Sequence, residues 1–263
     1  LQMGPQSAGS EPGPACYDQG GEKPTTTDAN LVLGYLNPDG LVGGRLPLNV
    51  EKARRAIKTH LADPLGISVE KAAYGMFTIV NNNMVNAIRR VSVERGYDPR
   101  EYVLMAFGGA GPLHAARLAR ELEVRRVLVP RNPGIACAMG LLLSDLRTNL
   151  SAGKLMVLTG ATLADLTAGF AGLELQAAGW FAEEGIAPAD RSISRSLDMR
   201  YDGQGHELSV PCPAGALDDT ALDIIRARFE QAHRQVYGFV STEQAMQVVT
   251  LRIEAAGRVP KAT

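Results

Sequence analysis

The stretch AFGGAGPLH at 106–114 limits what this chain can fold into more than any other. Three glycines fall within four positions, between the apolar run YVLMAF (102–107) and a segment with helical periodicity. A strand that turns through glycines into a helix N-terminus aims free backbone N–H groups at one place, and the helix dipole makes that place attractive to anions. Pro112 suits the first helical position, where its missing N–H costs nothing, and Ala115, Leu118, Ala119 and Leu122 form an inner face up to about residue 122. The run RRVLVP (125–130) follows. Strand, helix and strand at this spacing make a βαβ unit with a right-handed crossover. Both runs are short and continuously apolar, which predicts strands covered on both faces.

A P-loop needs G-x-x-x-x-G-K-[ST], with a lysine for the phosphates and a hydroxyl for the metal, and neither is present. A dinucleotide fingerprint needs G-x-G-x-x-G/A; Gly109-Ala110-Gly111 begins one, but His114 holds the last position and the second strand runs into VPRNP without an acid for a ribose. By residue chemistry two readings stand: a tight turn whose glycines only permit close packing, and a turn that receives a ligand.

Around this unit the pattern predicts a helix over 50–62, stopped by Pro64 and Gly66, and a long one over 69–95. Ser68 is its N-cap, Gly96 its C-cap, and Ala73, Phe77, Val80, Met84, Ile88 and Val91 its buried face. A further helix is expected over 134–146. Beyond about 150 the pattern changes to a helix over 161–185, a hairpin around DGQG, a helix over 218–237 and a last strand over 246–257. Three stretches follow: a Gly/Pro-rich loop segment over 1–47, an α/β domain over 48–150, and a smaller α+β domain over 151–263.

A formal net charge of −1 argues against binding nucleic acid or an anionic membrane. Cys16, Cys137 and Cys212 lie far apart without a C-x-x-C, which fits a reduced, cytoplasmic setting. The start has no signal-peptide character and no initiator methionine, and the chain reads as a piece of something longer.

The other candidates for chemistry are few. PTTTDAN (24–30) gathers hydroxyls, Asp28 and Asn30; Thr27 or Asp28 either caps a helix over ANLVLGYL, or Asp28 coordinates Mg²⁺ or orients a substrate. Cys16 reads as a small buried thiol, with no base nearby to activate it. His114, in the first turn after the glycines, is either a rim residue or a neutral ring aimed into a cleft. His60, His206 and His233 lack partners at metal-ligand spacing and read as surface or hairpin residues. NNNM (81–84) puts three amides inside a helix, with Asn82 and Asn86 on one face, facing solvent, a cleft or a subunit.

Long segments of the chain, GPQSAGSEPGPACYDQGGEKPTTTDANLVLGYL, NNNMVNAIRRVSVERGYDP, AFGGAGPLHAARLARELEV, VPRNPGIACAMGLLLSD, DMRYDGQGHELSV, FEQAHRQVYGF and VVTLRIEAAGR, resemble the hydantoinase A / 5-oxoprolinase family. More closely, they resemble the C-terminal part of an N-methylhydantoinase A-type subunit. The resemblance implies half of an actin-like (ribonuclease H-like) ATPase fold followed by the smaller α+β unit. It implies an ATP-dependent hydrolase of cyclic amides in which Gly108, Gly109, Ala110 and Gly111 contact adenosine and Gly140 centres a cleft-lining helix. Asp28 and His114 become candidate catalytic residues, Asp28 also a Mg²⁺ ligand, and Thr27 and Asn30 cleft residues. It further implies a B-type partner subunit or domain. A ketone carboxylase on the same scaffold and a non-catalytic assembly module are the alternatives. Members of the family carry Asp-Gly-Gly-Thr-type phosphate loops ahead of the corresponding segment, so this stretch by itself is expected to bind ATP weakly and to turn none over.

Overall fold

The computed structural model describes residues 4–41 and 43–261. The chain divides into two units, Leu1–Gly134 and Ile135–Thr263.

In the first unit a 3₁₀ turn, Ala15–Tyr17, precedes helix α1 (Thr26–Val32). The cap of α1 is Thr25, not Thr27 or Asp28: Thr25 Oγ1 accepts from the Asp28 amide and Asp28 reaches back to the Thr25 amide. Asp28 at the third helical position thus closes a capping box, which satisfies donors at both ends of the first turn. Asn49 caps α2 (Val50–Ile57), which runs through a π turn, Lys58–Ala62, into the single turn α3 (Asp63–Leu65). Pro64 cannot donate to a carbonyl one turn back, and it falls just after the widened turn; Gly66, at φ +62°, ends the run.

Ser68 caps α4 (Val69–Val91), as expected. The helix stops at Val91, and a 3₁₀ turn, Val93–Arg95, carries the chain to Gly96 at φ +77°. Its buried stripe is Ala72, Ala73, Met76, Phe77, Asn81 and Val85, so Val91 is exposed and an asparagine takes a core position. Asn82 and Asn86 are exposed.

Strands β1 (Leu104–Met105) and β2 (Val127–Leu128) pair in parallel across helix α5 (Gly111–Glu121). The regular pairing is shorter than the apolar runs; β1 is covered on one side only, and both residues of β2 are exposed. Leu104 packs with Val85, Leu118 and Leu122, which puts α4 and α5 over that side. Val103, Met105 and Phe107 alternate to the other side and are exposed. A small core of Ala29, Ile57, Ala62, Ala72, Ala73 and Met76 joins α1, the 58–62 turn and α4.

A 3₁₀ turn, Pro133–Ile135, ends the first unit, and the second opens with α6 (Ala136–Leu143), whose Leu141, Leu142 and Leu143 are exposed. Then come β3 (Leu146–Val157), α7 (Leu163–Glu183), β4 (Arg191–Tyr201), β5 (Leu208–Cys212), α8 (Asp219–Tyr237) and β6 (Met246–Gly257). The sheet order is β3-β6-β4-β5 with every neighbouring pair antiparallel, so β6 splits the β3–α7–β4 unit. Helices α7 and α8 bury Phe170, Phe181, Ile225 and Phe229 against Leu197, Tyr201, Leu251 and Ile253. Gly169 lets α7 lie close to β6, since a Cβ there would stand 2.7 Å from Leu251 Cδ2. The hairpin at DGQG forms as expected, and the unit is α+β.

His233 corrects the reading of it as a surface residue: it is fully buried among Tyr201, Phe229, Tyr237 and Phe239. Its Nδ1 lies 2.7 Å from the Phe239 carbonyl oxygen and its Nε2 2.8 Å from the Gln204 amide nitrogen. Gln204 Oε1 accepts from the Tyr201 amide, so the imidazole clasps the hairpin to α8. His60 and His206 are exposed.

Candidate functional site

The glycine turn lies at the carboxyl end of β1, where the Ala106 amide makes the last sheet-type bond, to Leu128 O at 2.8 Å. Gly108 then takes φ +84°, a left-handed conformation that costs an L side chain, and donates its N–H to Pro133 O at 2.7 Å. This bond ties the turn to the loop after β2. No atom of the described residues beyond the chain neighbours lies within 4 Å of a Cβ built on Gly108 or Gly109, so among these residues the glycines do not serve close packing; they leave an open backbone surface. Ala110 is the N-cap of α5 and offers no side-chain acceptor. The N–H groups of Gly109, Ala110 and Gly111 take part in no backbone hydrogen bond among the described residues. Unclaimed donors at a helix start beside an open glycine surface suit a flat polar ligand or an anion.

One turn into α5, His114 points inward and is 3% exposed. Its ring stacks on Phe77 of α4, with centroids 5.2 Å apart and planes 20° apart, and its Nε2 lies 3.4 Å from Asn30 Nδ2 on α1. Burial lowers the imidazole pKa below its ordinary value, which keeps the ring neutral. Asn81, one turn beyond Phe77, donates its Nδ2 to Phe77 O at 2.6 Å. Asn30 Oδ1, Asn81 Oδ1 and His114 Nδ1 are buried with no hydrogen-bond partner among the described residues. The structure therefore brings Asn30 and His114 together, as residues converging from separate helices, and adds Phe77 and Asn81, which the sequence reading did not single out as site residues. The signal for Asn81 was the run of amides in a helix, where asparagine is a poor former.

Asp28 stands apart from that pair. Its buried carboxylate accepts from the Cys16 amide at 2.8 Å, the Ala15 amide at 3.3 Å, the Thr25 amide at 2.8 Å and the Thr25 hydroxyl at 2.7 Å. Both oxygens are engaged, and a Mg²⁺ ion would have to displace protein donors to reach them. Among the described residues no group of three or more His, Cys, Asp or Glu side chains is placed to hold a metal ion. Burial, and the Asp28 charge beside it, push the Cys16 thiol well above its ordinary pKa, so it is not an activated nucleophile. Thr27 is half-buried in the first turn of α1. No helix among the described residues is long and apolar enough to cross a membrane.

The family model described as Hydantoinase/oxoprolinase matches residues 1–150. The α subunit of caprolactamase from Pseudomonas jessenii is 40% identical over 99% of the chain. The γ subunit of acetophenone carboxylase from Aromatoleum aromaticum is 42% identical over 78% of it, which is 29% of that subunit. The crystal structure of ATP-dependent caprolactamase from P. jessenii superposes with a TM-score of 0.80 at 40% identity, over 99% of this chain and 38% of that one. The chain thus spans about two-fifths of the length of the caprolactamase α subunit, 38%. The chain belongs to the hydantoinase/oxoprolinase family.

Proposed function

We propose that this chain is the C-terminal part of an A-type subunit of an ATP-dependent hydrolase acting on cyclic amides, and that it carries the adenosine side of the ATP site. The observation that supports this most directly is the open turn at Gly108, Gly109, Ala110 and Gly111, whose last three N–H groups make no backbone hydrogen bond among the described residues. The glycines admit a purine and ribose against bare backbone, and the start of α5 supplies donors for their polar edge. In such a reaction the γ-phosphoryl group passes to the amide oxygen and ADP leaves. Water then adds to the activated carbon, the C–N bond breaks to free the amine and leave an acyl phosphate, and a second water releases phosphate and the carboxylate. A Mg²⁺ ion accompanying ATP would reach Asp28 only by displacing one of the four donors its carboxylate accepts from, which favours other residues of the whole protein as its ligands.

The partner is a B-type subunit or domain, in line with the relatives' description as subunits of larger enzymes. The location is cytoplasmic, in line with the free thiols of Cys16, Cys137 and Cys212. A ketone carboxylase on the same scaffold is the second reading, favoured by the 42% identity to the acetophenone carboxylase subunit. The match to the caprolactamase subunit spans 99% of the chain against 78%, and we therefore place the hydrolase first.

The test is phosphate release from ATP by the full-length protein with its partner. Caprolactam, hydantoins and 5-oxoproline form one arm, and simple ketones with bicarbonate the other. Stimulation by a cyclic amide supports the reading. Stimulation by ketones alone replaces it with the carboxylase, and no stimulation by either overturns both.

A further inference from the structure

Glycines cannot anchor themselves. The Gly108 N–H is held by Pro133 O, but Gly109, Ala110 and Gly111 make no such bond among the described residues and Ala110 makes no side-chain cap, so the α5 side of the turn depends on α5 for its placement. The first polar side chain of α5 that is buried is His114. Its ring lies flat on Phe77 of α4 and its Nε2 meets Asn30 of α1. Asn30 is itself fixed: its carbonyl accepts from the amides of Tyr35 and Leu36 at 2.8 and 3.3 Å, and two residues earlier Asp28 binds α1 to the Ala15–Tyr17 turn. A continuous path of contacts therefore runs from that turn through Asp28, Asn30 and His114 to the start of the glycine turn.

The junction is built in a way that stability alone would not select. Asn30 Nδ2 lies 3.4 Å from Nε2, and in either tautomer of the neutral ring Nδ1 has no hydrogen-bond partner among the described residues. Asn30 Oδ1 and Asn81 Oδ1 are likewise buried without donors among the described residues. Unpaired buried polar atoms weaken a fold, and leucine or phenylalanine would fill the same space without that penalty. Local choices that contradict the fold's own rules concentrate where a protein uses them.

We propose that Asn30 and His114, supported by Phe77 and Asn81, are positioning residues that set the placement of the glycine turn from the segment clamped by Asp28. The inference rests on the reading of Gly108–Gly111 as the nucleotide contact. Movement of the 15–33 segment is transmitted to the turn through one directional contact between two side chains. Neither residue touches the reacting atoms; each acts through the turn.

The experiment uses the full-length protein with its partner and three variants, His114→Phe, His114→Gln and Asn30→Leu. His114→Phe keeps the stacking on Phe77 and removes the polar contact; His114→Gln restores a polar atom near the place of Nε2. The expected result is a Tm for His114→Phe and Asn30→Leu within about 2 °C of the parent or above it. The KM for ATP rises about tenfold with kcat changed less than about threefold, and His114→Gln recovers most of the loss. Hydrogen exchange rises in the 106–113 peptide alone. This last readout needs no turnover, so a failure of the ATP reading and a failure of the junction are distinguishable. Unchanged exchange at 106–113 in a stable His114→Phe overturns the proposal. So does a lowered Tm with faster exchange across α1, α4 and α5 together, which marks ordinary packing.

Discussion

The Asp28 carboxylate lies 2.8 Å from the Cys16 amide nitrogen and, through its other oxygen, 2.8 Å from that of Thr25. One buried side chain therefore fastens the Ala15–Tyr17 turn and starts α1. Removing it leaves four donors without their acceptor. Asp28→Ala is expected to cost about 3 kcal/mol, and Asp28→Asn about 1–2 kcal/mol because it keeps one acceptor oxygen. Urea unfolding of the full-length protein checks this. A Mg²⁺ dependence of turnover that shifts in a stable Asp28→Asn would instead make Asp28 a metal ligand.

Gly108 and Gly109 are predicted to fail in different ways. Gly108 at φ +84° strains any L side chain, so Gly108→Ala lowers stability by about 1–2 kcal/mol. Gly109 has open space and no positive φ. Gly109→Leu should leave Tm within about 2 °C and raise the KM for ATP about tenfold or more, because the side chain enters the space assigned to the ligand. A Gly109→Leu protein with normal ATP kinetics removes adenosine from this turn.

The thiols should separate by burial. Cys137 is exposed, whereas Cys16 and Cys212 are buried. At pH 8 a disulfide reagent is expected to titrate Cys137 at once and the other two only with unfolding. Burial pushes the Cys212 thiol up to about 11 from an ordinary value of 9.0. The folded state thus favours the protonated thiol. That contribution is complete below pH 9 and is lost as pH rises through 9 toward 11. A denaturation series over that range, compared with Cys212→Ala, reads the difference.

His114 gives a second pH signature of opposite direction. Burial lowers its folded-state pKa below 6.5, so the unfolded chain binds a proton more readily. Stability is unaffected above pH 6.5 and falls as pH drops from there toward the folded value. His114→Gln, which does not titrate, should flatten the slope of urea-unfolding stability between pH 7.5 and 5. An unchanged slope assigns the acid sensitivity to another group.

The βαβ unit, the hairpin, α8 and the last strand were legible because glycines, alternation and apolar spacing mark them locally. Strand β3 was not: LRTNLSAGKLMV mixes small and polar residues, and its pairing with β6 lies about a hundred positions away. Coverage of β1 and β2 was overestimated for a related reason, since continuous apolar runs report what a strand can tolerate and not which layer lies over it. At the candidate site the glycine turn was read from its sequence. The inward turn of His114 and the burial of Asn81 depend on how α1, α4 and α5 pack, which no local pattern states. Thr25 was passed over as a cap because three threonines precede Asp28, and only geometry tells which one the carboxylate reaches.

Strand β6 lies between β3 and β4, yet it is synthesised after both and after β5. Until Gly257 has left the ribosome, the two strands it joins have no common neighbour, and the helices α7 and α8 have half a sheet to rest on. The second unit therefore assembles after translation of its last strand, in one step and from contacts distant in the chain. A polypeptide stopped before Met246 lacks Val248, Leu251, Ile253 and Ala255, the share of the core that β6 supplies, and is expected to be a target of chaperones and proteases.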